Sequence, residues 1–282
     1  MRSNLKMFVT DLDGTLLNDE GTVSEKDINT LKNLGNRGII RVIATGRSPY
    51  SYSKALPDDF PVDYLIFSSG AGAVDLEKKS LIYKTELSAN QVQLIVDELM
   101  RHKVDFMVHE PIPSNHRFLY YRSGKNNPDF DRRLAIYQAY SQPFAPGVEY
   151  GSSAAQIIAV LSHDVKWFEK LKYCFPELKV IRATSPLDGH SIWMEIFRRD
   201  VSKAFGIEQI CKLIGVKSQE VATIGNDYND LDMLSHFPNS YVVSNAPEEL
   251  RKQFKVAKSN NESGFTDAVN KALGVSNLYP TH

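Results

Sequence analysis

Cysteine is scarce in this chain of 282 residues, which has only two, Cys174 and Cys211. They lie far apart and lack the spacing of zinc ligands, so neither a disulfide framework nor a zinc motif is indicated. The low count excludes the small disulfide-stabilised folds and predicts a reducing, cytoplasmic setting.

Long apolar segments are also missing. The longest pieces, such as residues 157–161, are far shorter than the about 18 apolar residues that a membrane-spanning helix needs. Asp11 and Asp13 interrupt the apolar start of the chain, so we expect no secretion signal. These absences predict a soluble protein without a membrane partner.

Neither sign of charge is in excess. The chain carries 33 basic and 34 acidic residues, which gives a formal net charge of −1. No global field therefore attracts nucleic acid or an acidic membrane, and we expect no nucleic-acid partner. Partners have to be inferred from local sites.

Strands alternate with helices at both ends of the chain. Residues 7–10 are typical of a buried strand, and residues 22–38 of a helix in which Ser24 and Asp27 have capping-box spacing. Residues 39–44 follow as a second strand. Strand, helix and strand within about 40 residues predict the parallel crossover unit of an α/β sheet.

The same alternation returns after Lys203, whereas the middle of the chain differs. There, aromatic-rich alternating strands with two or three helices are typical of an antiparallel α+β unit. We therefore predict an α/β fold with a Rossmann-like parallel-sheet core, formed by residues 1–85 and 197–282. Residues 86–196 are predicted to be a cap domain inserted into that core.

Polar side chains follow the predicted core strands where those strands end, which is where open parallel sheets bind ligands. Asp11 and Asp13 come first, two positions apart and directly before Gly14. Two carboxylates beside a glycine turn can hold a hard cation such as Mg²⁺, although ordinary turns have the same pattern. A calcium loop is excluded, because its twelfth position, which requires Glu, is Thr22.

Three later stretches carry further candidate ligands. Residues 45–47 are Thr-Gly-Arg. They offer a hydroxyl, backbone N–H groups and a guanidinium, which together suit a phosphate. An ordinary turn explains the same three residues equally well. Lys203 is predicted to begin a helix, and the helix dipole disfavours a cation at that end unless an anion is near. Lys203 therefore either faces a bound anion or is an ordinary surface lysine. Residues 224–234 crowd together more oxygen donors than one helix cap needs.

The order of these motifs resembles the haloacid dehalogenase-like phosphatases, and more closely their Cof-type branch, whose large cap is inserted between the second and third motifs. Residues 244–273 are also similar to the closing segment of that branch. The resemblance implies a phosphoric monoester hydrolase that acts on small phosphorylated metabolites, sugar phosphates first, through an aspartyl-phosphate intermediate.

The resemblance also implies a role for each matching residue. Asp11 matches the nucleophile and Asp13 the general acid and base. Thr45, Gly46 and Lys203 are the phosphate-binding candidates, and four further residues are expected to support the site: Arg47, Ser69, Asn229 and Asp230. Where the branch often has asparagine, this chain has Ser69.

The implied cofactor is Mg²⁺, with Asp11, Asp13, Asn226 and Asp227 as its candidate ligands. The branch has an aspartate where this chain has Asn226. Either the amide oxygen of Asn226 serves as a ligand, or a small backbone shift lets Asp227 serve. Asp227 and Asp230 keep acidic density at this strand end, which favours retained metal binding, and weaker Mg²⁺ binding is an open alternative. We predict from the sequence that Asp227→Ala raises the Mg²⁺ needed for half activity more than Asn226→Ala does.

Substrate choice is expected to come from the cap. The candidate substrate contacts are Arg182, Ser185, His190 and Trp193, together with His116 or Arg117. Two alternatives to a phosphatase stay open: a phosphomutase, which would pass the phosphate to a sugar, and a regulatory protein that binds phosphorylated metabolites with weak catalysis.

Overall fold

The computed structural model describes residues 4–144 and 151–275. These residues divide into two compact units. The core unit takes in the described residues of Met1–Arg47, Tyr52–Tyr83 and Ser202–His282. The inserted unit takes in those of Ser48–Ser51 and Lys84–Val201.

Strands and helices alternate through the core unit and mix less regularly in the inserted unit. In chain order the strands are β1 (Met7–Thr10), β2 (Ile40–Ala44), β3 (Tyr64–Phe67), β4 (Gly72–Asp75), β5 (Ser80–Lys84), β6 (Asp105–His109), β7 (Phe118–Tyr121), β8 (Ser141–Pro143), β9 (Gln156–Leu161), β10 (Leu178–Thr184), β11 (Ile192–Arg198), β12 (Val221–Gly225), β13 (Asn239–Val243) and β14 (Lys255–Ala257). The α-helices are α1 (Glu25–Asn36), α2 (Pro49–Ala55), α3 (Ala89–Arg101), α4 (Pro128–Ile136), α5 (Val165–Lys172), α6 (Lys203–Ile214), α7 (Leu231–His236), α8 (Glu248–Arg251) and α9 (Gly264–Leu273).

The core unit is built on one sheet with the strand order β14-β13-β12-β1-β2-β3-β4-β5. Strands β14 through β3 are mutually parallel, and β4 joins β3 in the antiparallel sense. The predicted α/β fold with a parallel-sheet core is confirmed. Strand β1 is buried along its whole length, as a central strand covered by helices on both faces should be.

Local sequence explains where the first core helix begins. Ser24 precedes α1, and its hydroxyl oxygen accepts a hydrogen bond from the backbone N–H of Asp27 at 3.1 Å. The Ser24 hydroxyl also donates to the Asp27 carboxylate at 2.7 Å. The start predicted from the spacing of these two residues is therefore confirmed.

The sequence prediction lacks the hairpin of β4 and β5, because residues 62–74 read as one apolar run. In the structure a tight turn divides that run after β3. Ser68 and Ser69 both adopt left-handed backbone angles there, with φ of 47° and 54°. Such angles are uncommon in residues other than glycine, so the composition of the run did not predict the turn.

The inserted unit has its own sheet, with the order β10-β11-β9-β6-β7-β8. Its pairs are antiparallel except for β7 with β8. Helices α3 and α5 pack on the sheet through apolar side chains that include Ile95, Leu99 and Phe168. Phe130 of α4 belongs to a second apolar cluster, with Ile158 and Trp193.

His109, at the end of β6, is a buried histidine in this unit. Its Nδ1 lies 2.8 Å from the carbonyl oxygen of Asn115, and its Nε2 is buried without a hydrogen-bond partner in the part of the chain that the structure describes. Burial lowers the pKa of His109 to about 3, and the positive charge of Arg133 adds to the effect. The ring is therefore neutral in the folded state at ordinary pH.

We expect the inserted unit to lose stability as the pH falls below 6.5. In that range the unfolded chain protonates His109 while the folded unit does not, which costs about 1 kcal/mol between pH 7 and pH 5.5. Urea unfolding followed by tryptophan fluorescence measures this, since both tryptophans, Trp167 and Trp193, lie in the unit. His109→Gln should flatten the dependence, and parallel curves for the two proteins would contradict this origin.

No helix among the residues that the structure describes is long and apolar enough to cross a membrane.

Candidate active site

The carboxyl ends of β1, β2, β3 and β12 meet at one edge of the core sheet. The backbone N–H of Asp11 donates to the carbonyl of Ile224 at 2.9 Å. On the other side of β1, the N–H of Ser69 donates to the carbonyl of Thr45 at 3.0 Å. The register of the parallel strands thus brings four polar strand ends together, as the sequence predicted.

A buried lysine between two buried carboxylates lies at the centre of this edge. Lys203 Nζ is 2.6 Å from Asp11 Oδ1 and 2.6 Å from Asp230 Oδ1. The side chains of Lys203 and Asp230 are fully buried, and that of Asp11 is 6% exposed. The alternative that Lys203 is a surface lysine is therefore wrong.

Helix α6 positions this lysine. The hydroxyl of Ser202 caps the helix by accepting the N–H of Phe205 at 3.0 Å, which makes Lys203 the first helical residue. Ile207 and Ile210 of the same helix pack beneath the sheet in the apolar core. The anion that a lysine needs at a helix start is supplied here by Asp11 and Asp230.

Asp230 also holds the loop that follows β12. Its Oδ2 accepts the backbone N–H groups of Asn226 at 2.8 Å and Asp227 at 3.1 Å. Gly225 permits this approach, because a Cβ on that residue would lie 2.5 Å from the Asp230 carboxylate. Asp230 is thus fully engaged by Lys203 and the loop, which makes it a positioning residue.

The charges of the buried cluster do not balance, since two carboxylates share one ammonium. Burial and the charge of Asp230 raise the pKa of Asp11 to about 7, although Lys203 opposes the rise. Burial alone would lower the pKa of Lys203, but the two carboxylates outweigh it and hold that pKa above its usual range. A second positive charge beside Asp11 would keep its carboxylate ionised.

Asp13 is held by Arg47 rather than by the lysine. Arg47 Nε donates to Asp13 Oδ2 at 2.8 Å, and its Nη2 donates to Oδ1 at 2.6 Å. Both groups are partly open to solvent, with 40% of the Asp13 side chain exposed. The guanidinium that the sequence suggested for phosphate therefore fixes the direction of the second carboxylate.

If Asp13 is the general acid and base that the resemblance implies, replacing Arg47 by glutamine should lower kcat by roughly 10- to 100-fold, because a misplaced catalytic group costs a factor of this size. Steady-state hydrolysis of a phosphate ester measures the change. Arg41→Gln is the matched control. Arg41 donates to the Asp63 carboxylate through the same two nitrogens, Nε at 3.0 Å and Nη2 at 2.6 Å, but it lies near the other end of β2. Equal losses of kcat in the two variants would contradict a specific role for Arg47.

The loop after β1 is packed against the side chain of Asn226. A Cβ on Gly14 would lie 2.4 Å from the Nδ2 of Asn226, and Gly14 has a φ of +70°. On the same loop, the side-chain amide of Asn245 donates to the carbonyl of Gly14 at 2.8 Å. Asn245 was not among the residues predicted for this site. Its position just after β13, at the same edge of the sheet, could have indicated it.

The predicted phosphate-binding turn is compact. The hydroxyl of Thr45, which is fully buried, accepts the backbone N–H of Arg47 at 3.1 Å, and Gly46 lies between them. The carbonyl of Arg47 accepts the N–H of Ser68 at 2.9 Å. The turns after β2 and β3 are therefore tied together next to Asp13.

Four of the residues predicted to contact substrate lie in the inserted unit. Arg182 is half-buried on β10, and His190 is exposed, with its carbonyl 2.8 Å from Nδ1 of His163. Ser185 and Trp193 are buried, and both donate to Asp129, at 2.8 and 2.7 Å. Ser185 and Trp193 are therefore part of the packing of this unit.

The oxygen donors of the site fit a hard cation, although not as a cluster of carboxylates. Among the described residues, no three carboxylates here have ligand atoms within 4.8 Å of one another. Both oxygens of Asp13 are held by Arg47, while the Asp11 carboxylate carries the unbalanced negative charge. Asn229, a predicted supporting residue, has a buried side-chain oxygen without a hydrogen-bond partner in the described ranges.

Comparison with known proteins gives one family. The model of a family described as haloacid dehalogenase-like hydrolase matches residues 8–269. The chain is 25% identical over 287 residues to 5-amino-6-(5-phospho-D-ribitylamino)uracil phosphatase YwtE of Bacillus subtilis, covering 95% of this chain and 98% of that protein.

Solved structures with the same fold extend over both units. A sugar phosphatase of haloacid dehalogenase subclass IIB matches with a TM-score of 0.77 at 19% identity, covering 95% of this chain and 99% of its own. A phosphatase of that superfamily from Bacteroides thetaiotaomicron matches with a TM-score of 0.75 at 22% identity, covering 96% and 95%.

Proposed function

This chain belongs to the haloacid dehalogenase-like hydrolase family and is a phosphatase of that family, and on this basis we propose that it hydrolyses phosphate monoesters of small metabolites through an aspartyl phosphate on Asp11. The observation that carries the proposal is the buried Asp11 carboxylate, 2.6 Å from the ammonium of Lys203. A carboxylate in this setting can attack phosphorus and split one difficult displacement into two easier ones.

Lys203 orients the nucleophile. It holds Oδ1 of Asp11, so we assign the attack on phosphorus to Oδ2. We place the same ammonium, together with the Thr45 hydroxyl and the backbone N–H of Gly46, beside the phosphoryl oxygens, where negative charge gathers. The backbone N–H of Thr45 itself donates to the carbonyl of Ile66 at 2.9 Å. Fixed positive charge and dipoles at that point lower the barrier more than any other single effect.

Asp13 transfers the proton. As the acid it donates to the leaving oxygen of the ester, and as the base it then takes a proton from the water that attacks the aspartyl phosphate. Arg47 holds its carboxylate by two hydrogen bonds, and the partial exposure of Asp13 gives that water access. The two aspartates therefore have unequal environments that suit unequal tasks.

Enzymes of this family generally depend on a metal ion, and we propose Mg²⁺ here. When bound, it would supply positive charge to the phosphoryl oxygens and to Asp11. Asp11, Asp13, Asn226 and Asp227 remain the candidate ligands. Of the fourth-motif pair we now assign the ligand to Asn226, because its side chain packs against Gly14, the residue that directly follows Asp13.

Asn226→Asp should lower the Mg²⁺ concentration for half-maximal activity by at least about tenfold. A tenfold change is about 1.4 kcal/mol, well within the about 4 kcal/mol by which two unit charges 4 Å apart interact near a protein surface. Asn226→Ala should raise that concentration more than Asp227→Ala does. Activity measured against Mg²⁺ concentration gives both results. A larger effect of Asp227→Ala would place the ligand at Asp227, the residue that the sequence favoured.

We propose sugar phosphates as the first substrate class and the inserted unit as the cap that selects among them. The names of the Bacillus relative, a ribitylamino compound phosphatase, and of the sugar phosphatase with the same fold support that order of testing. Arg182 and His190 remain the proposed substrate contacts. The partner that this activity requires is a small phosphorylated metabolite, and we propose the cytoplasm as its location.

A phosphatase screen tests the proposal. Sugar phosphates, nucleotides and pyridoxal phosphate are offered with and without Mg²⁺, and phosphate release is measured for the wild type and for Asp11→Asn. We expect release from at least one sugar phosphate that needs both Mg²⁺ and Asp11. Hydrolysis that survives Asp11→Asn, or that ignores removal of the metal, would overturn the mechanism.

A further inference from the structure

A carboxylate, an imidazole and a thiol converge in the inserted unit, on residues that the phosphatase mechanism does not use. Glu98 and His102 are four positions apart at the end of α3, and Cys174 lies two residues beyond α5. One possible ligand atom of each lies within 4.8 Å of the other two. In the described ranges this is the only such group of three histidine, cysteine, aspartate or glutamate side chains.

The spacing of these atoms is close to that of a tetrahedral metal site. His102 Nε2 is 3.0 Å from Glu98 Oε1 and 4.0 Å from Cys174 Sγ. Ligand bonds of the usual length to zinc would place the nitrogen about 3.4 Å from the oxygen and about 3.6 Å from the sulfur. Shifts of about 0.4 Å, which surface side chains make readily, would convert one arrangement into the other.

We propose that Glu98, His102 and Cys174 form a binding site for a zinc-class divalent transition metal, with water as the fourth ligand. The donor set of sulfur, nitrogen and oxygen selects Zn²⁺, Co²⁺ or a similar ion, whereas Mg²⁺ prefers oxygen ligands alone. Binding converts the Cys174 thiol to a thiolate and releases its proton to solvent. The site is independent of the proposed phosphatase chemistry.

The surroundings of the site fit this role. The edge of the Trp167 ring packs on His102, with centroids 5.4 Å apart, which orients the imidazole. Cys174 is exposed and Glu98 and His102 are half-buried, so an ion has access from solvent. Arg101 contacts the Glu98 carboxylate, but 70% of the Arg101 side chain is exposed. The Arg101 side chain can therefore rotate into solvent and leave the Glu98 carboxylate open to an ion.

Titration of the full-length protein with Co²⁺ in excess Mg²⁺ tests the proposal. The excess Mg²⁺ keeps Co²⁺ from oxygen-only sites, and a sulfur-to-cobalt charge-transfer band in the near ultraviolet reports a thiolate ligand. The other cysteine, Cys211, is buried and belongs to the apolar core of the core unit. We expect one equivalent of Co²⁺ to produce the band. Added Zn²⁺ should displace the Co²⁺ and so remove the band.

Three variants make the test specific. Cys174→Ser should abolish the band, and His102→Gln should weaken Co²⁺ binding at least about tenfold, the loss that even an outer-sphere partner causes. His236→Gln is the matched control, because His236 pairs with Glu208 at 2.9 Å but, among the described residues, has no third ligand atom within 4.8 Å, and it should titrate like the wild type. Absence of the band in the wild type, or unchanged binding in both Cys174→Ser and His102→Gln, would overturn the proposal.

Discussion

Asp11→Asn is expected to lower kcat for phosphate ester hydrolysis by at least about 10⁴-fold, the scale on which removal of a catalytic nucleophile acts. The amide has nearly the shape of the carboxylate but does not attack phosphorus. Phosphate release under saturating substrate and Mg²⁺ measures the loss.

The same substitution should leave the protein as stable as the wild type, or more so. Asp11 and Asp230 compete for the one ammonium of Lys203, so removing one negative charge relieves repulsion while the Lys203–Asp230 pair remains. Activity and stability then diverge, as is common where a catalytic group is held under electrostatic strain. Chemical denaturation followed by circular dichroism measures the free energy of unfolding.

Asp27→Asn is the matched control for this prediction. Asp27 is also a buried aspartate, 1% exposed, and it accepts the N–H and hydroxyl of Thr266 at 3.0 and 2.7 Å, away from the site. Its replacement should cost about 1 to 3 kcal/mol of stability and leave kcat unchanged. A result in which both variants lose activity in proportion to stability would contradict the assigned role of Asp11.

Lys203→Met is expected to have the largest effect on stability. It leaves Asp11 and Asp230 buried without a counter-charge, and breaking a buried ion pair from one side costs about 3 to 5 kcal/mol. Hydrolysis should also be lost, because the ammonium orients Asp11 and stabilises the transferring phosphoryl group. Denaturation and kinetic assays measure the two losses.

A double variant separates the two roles of the lysine. Lys203→Met combined with Asp230→Asn removes one of the stranded charges, so it should recover part of the stability but none of the activity. Lys252→Met is the surface control: Lys252 pairs with Glu248 at 2.7 Å with 72% and 70% of the two side chains exposed, and exposed pairs contribute about 0 to 1 kcal/mol. Equal destabilisation by Lys252→Met and Lys203→Met would contradict the account of the buried cluster.

Much of the core could be predicted because local patterns determine it. Strand β1 was predicted at residues 7–10, and a helix was predicted to begin at Lys203, both as observed. These elements have strong apolar periodicity or a capping signal. The hairpin of β4 and β5 was missed because it depends on two serines in a left-handed conformation, which neither periodicity nor composition encodes.

The site could be predicted as a set of residues but not as a set of contacts. Asp11, Asp13 and Lys203 follow from the order of the motifs along the chain. The pairing of Lys203 with Asp230 and of Arg47 with Asp13 depends on how distant strand ends meet, and one-dimensional spacing does not contain that information. The cluster of Glu98, His102 and Cys174 was invisible for the same reason, because Cys174 comes from a different helix region.

The most direct test of the central claim is to look for phosphate on Asp11. Wild-type protein is mixed with a chromogenic aryl phosphate and Mg²⁺, quenched in acid during turnover, and digested for mass spectrometry. The account predicts a peptide containing Asp11 that carries the mass of one phosphoryl group, absent from Asp11→Asn. Turnover without such a peptide, or the modification at another residue, would contradict it.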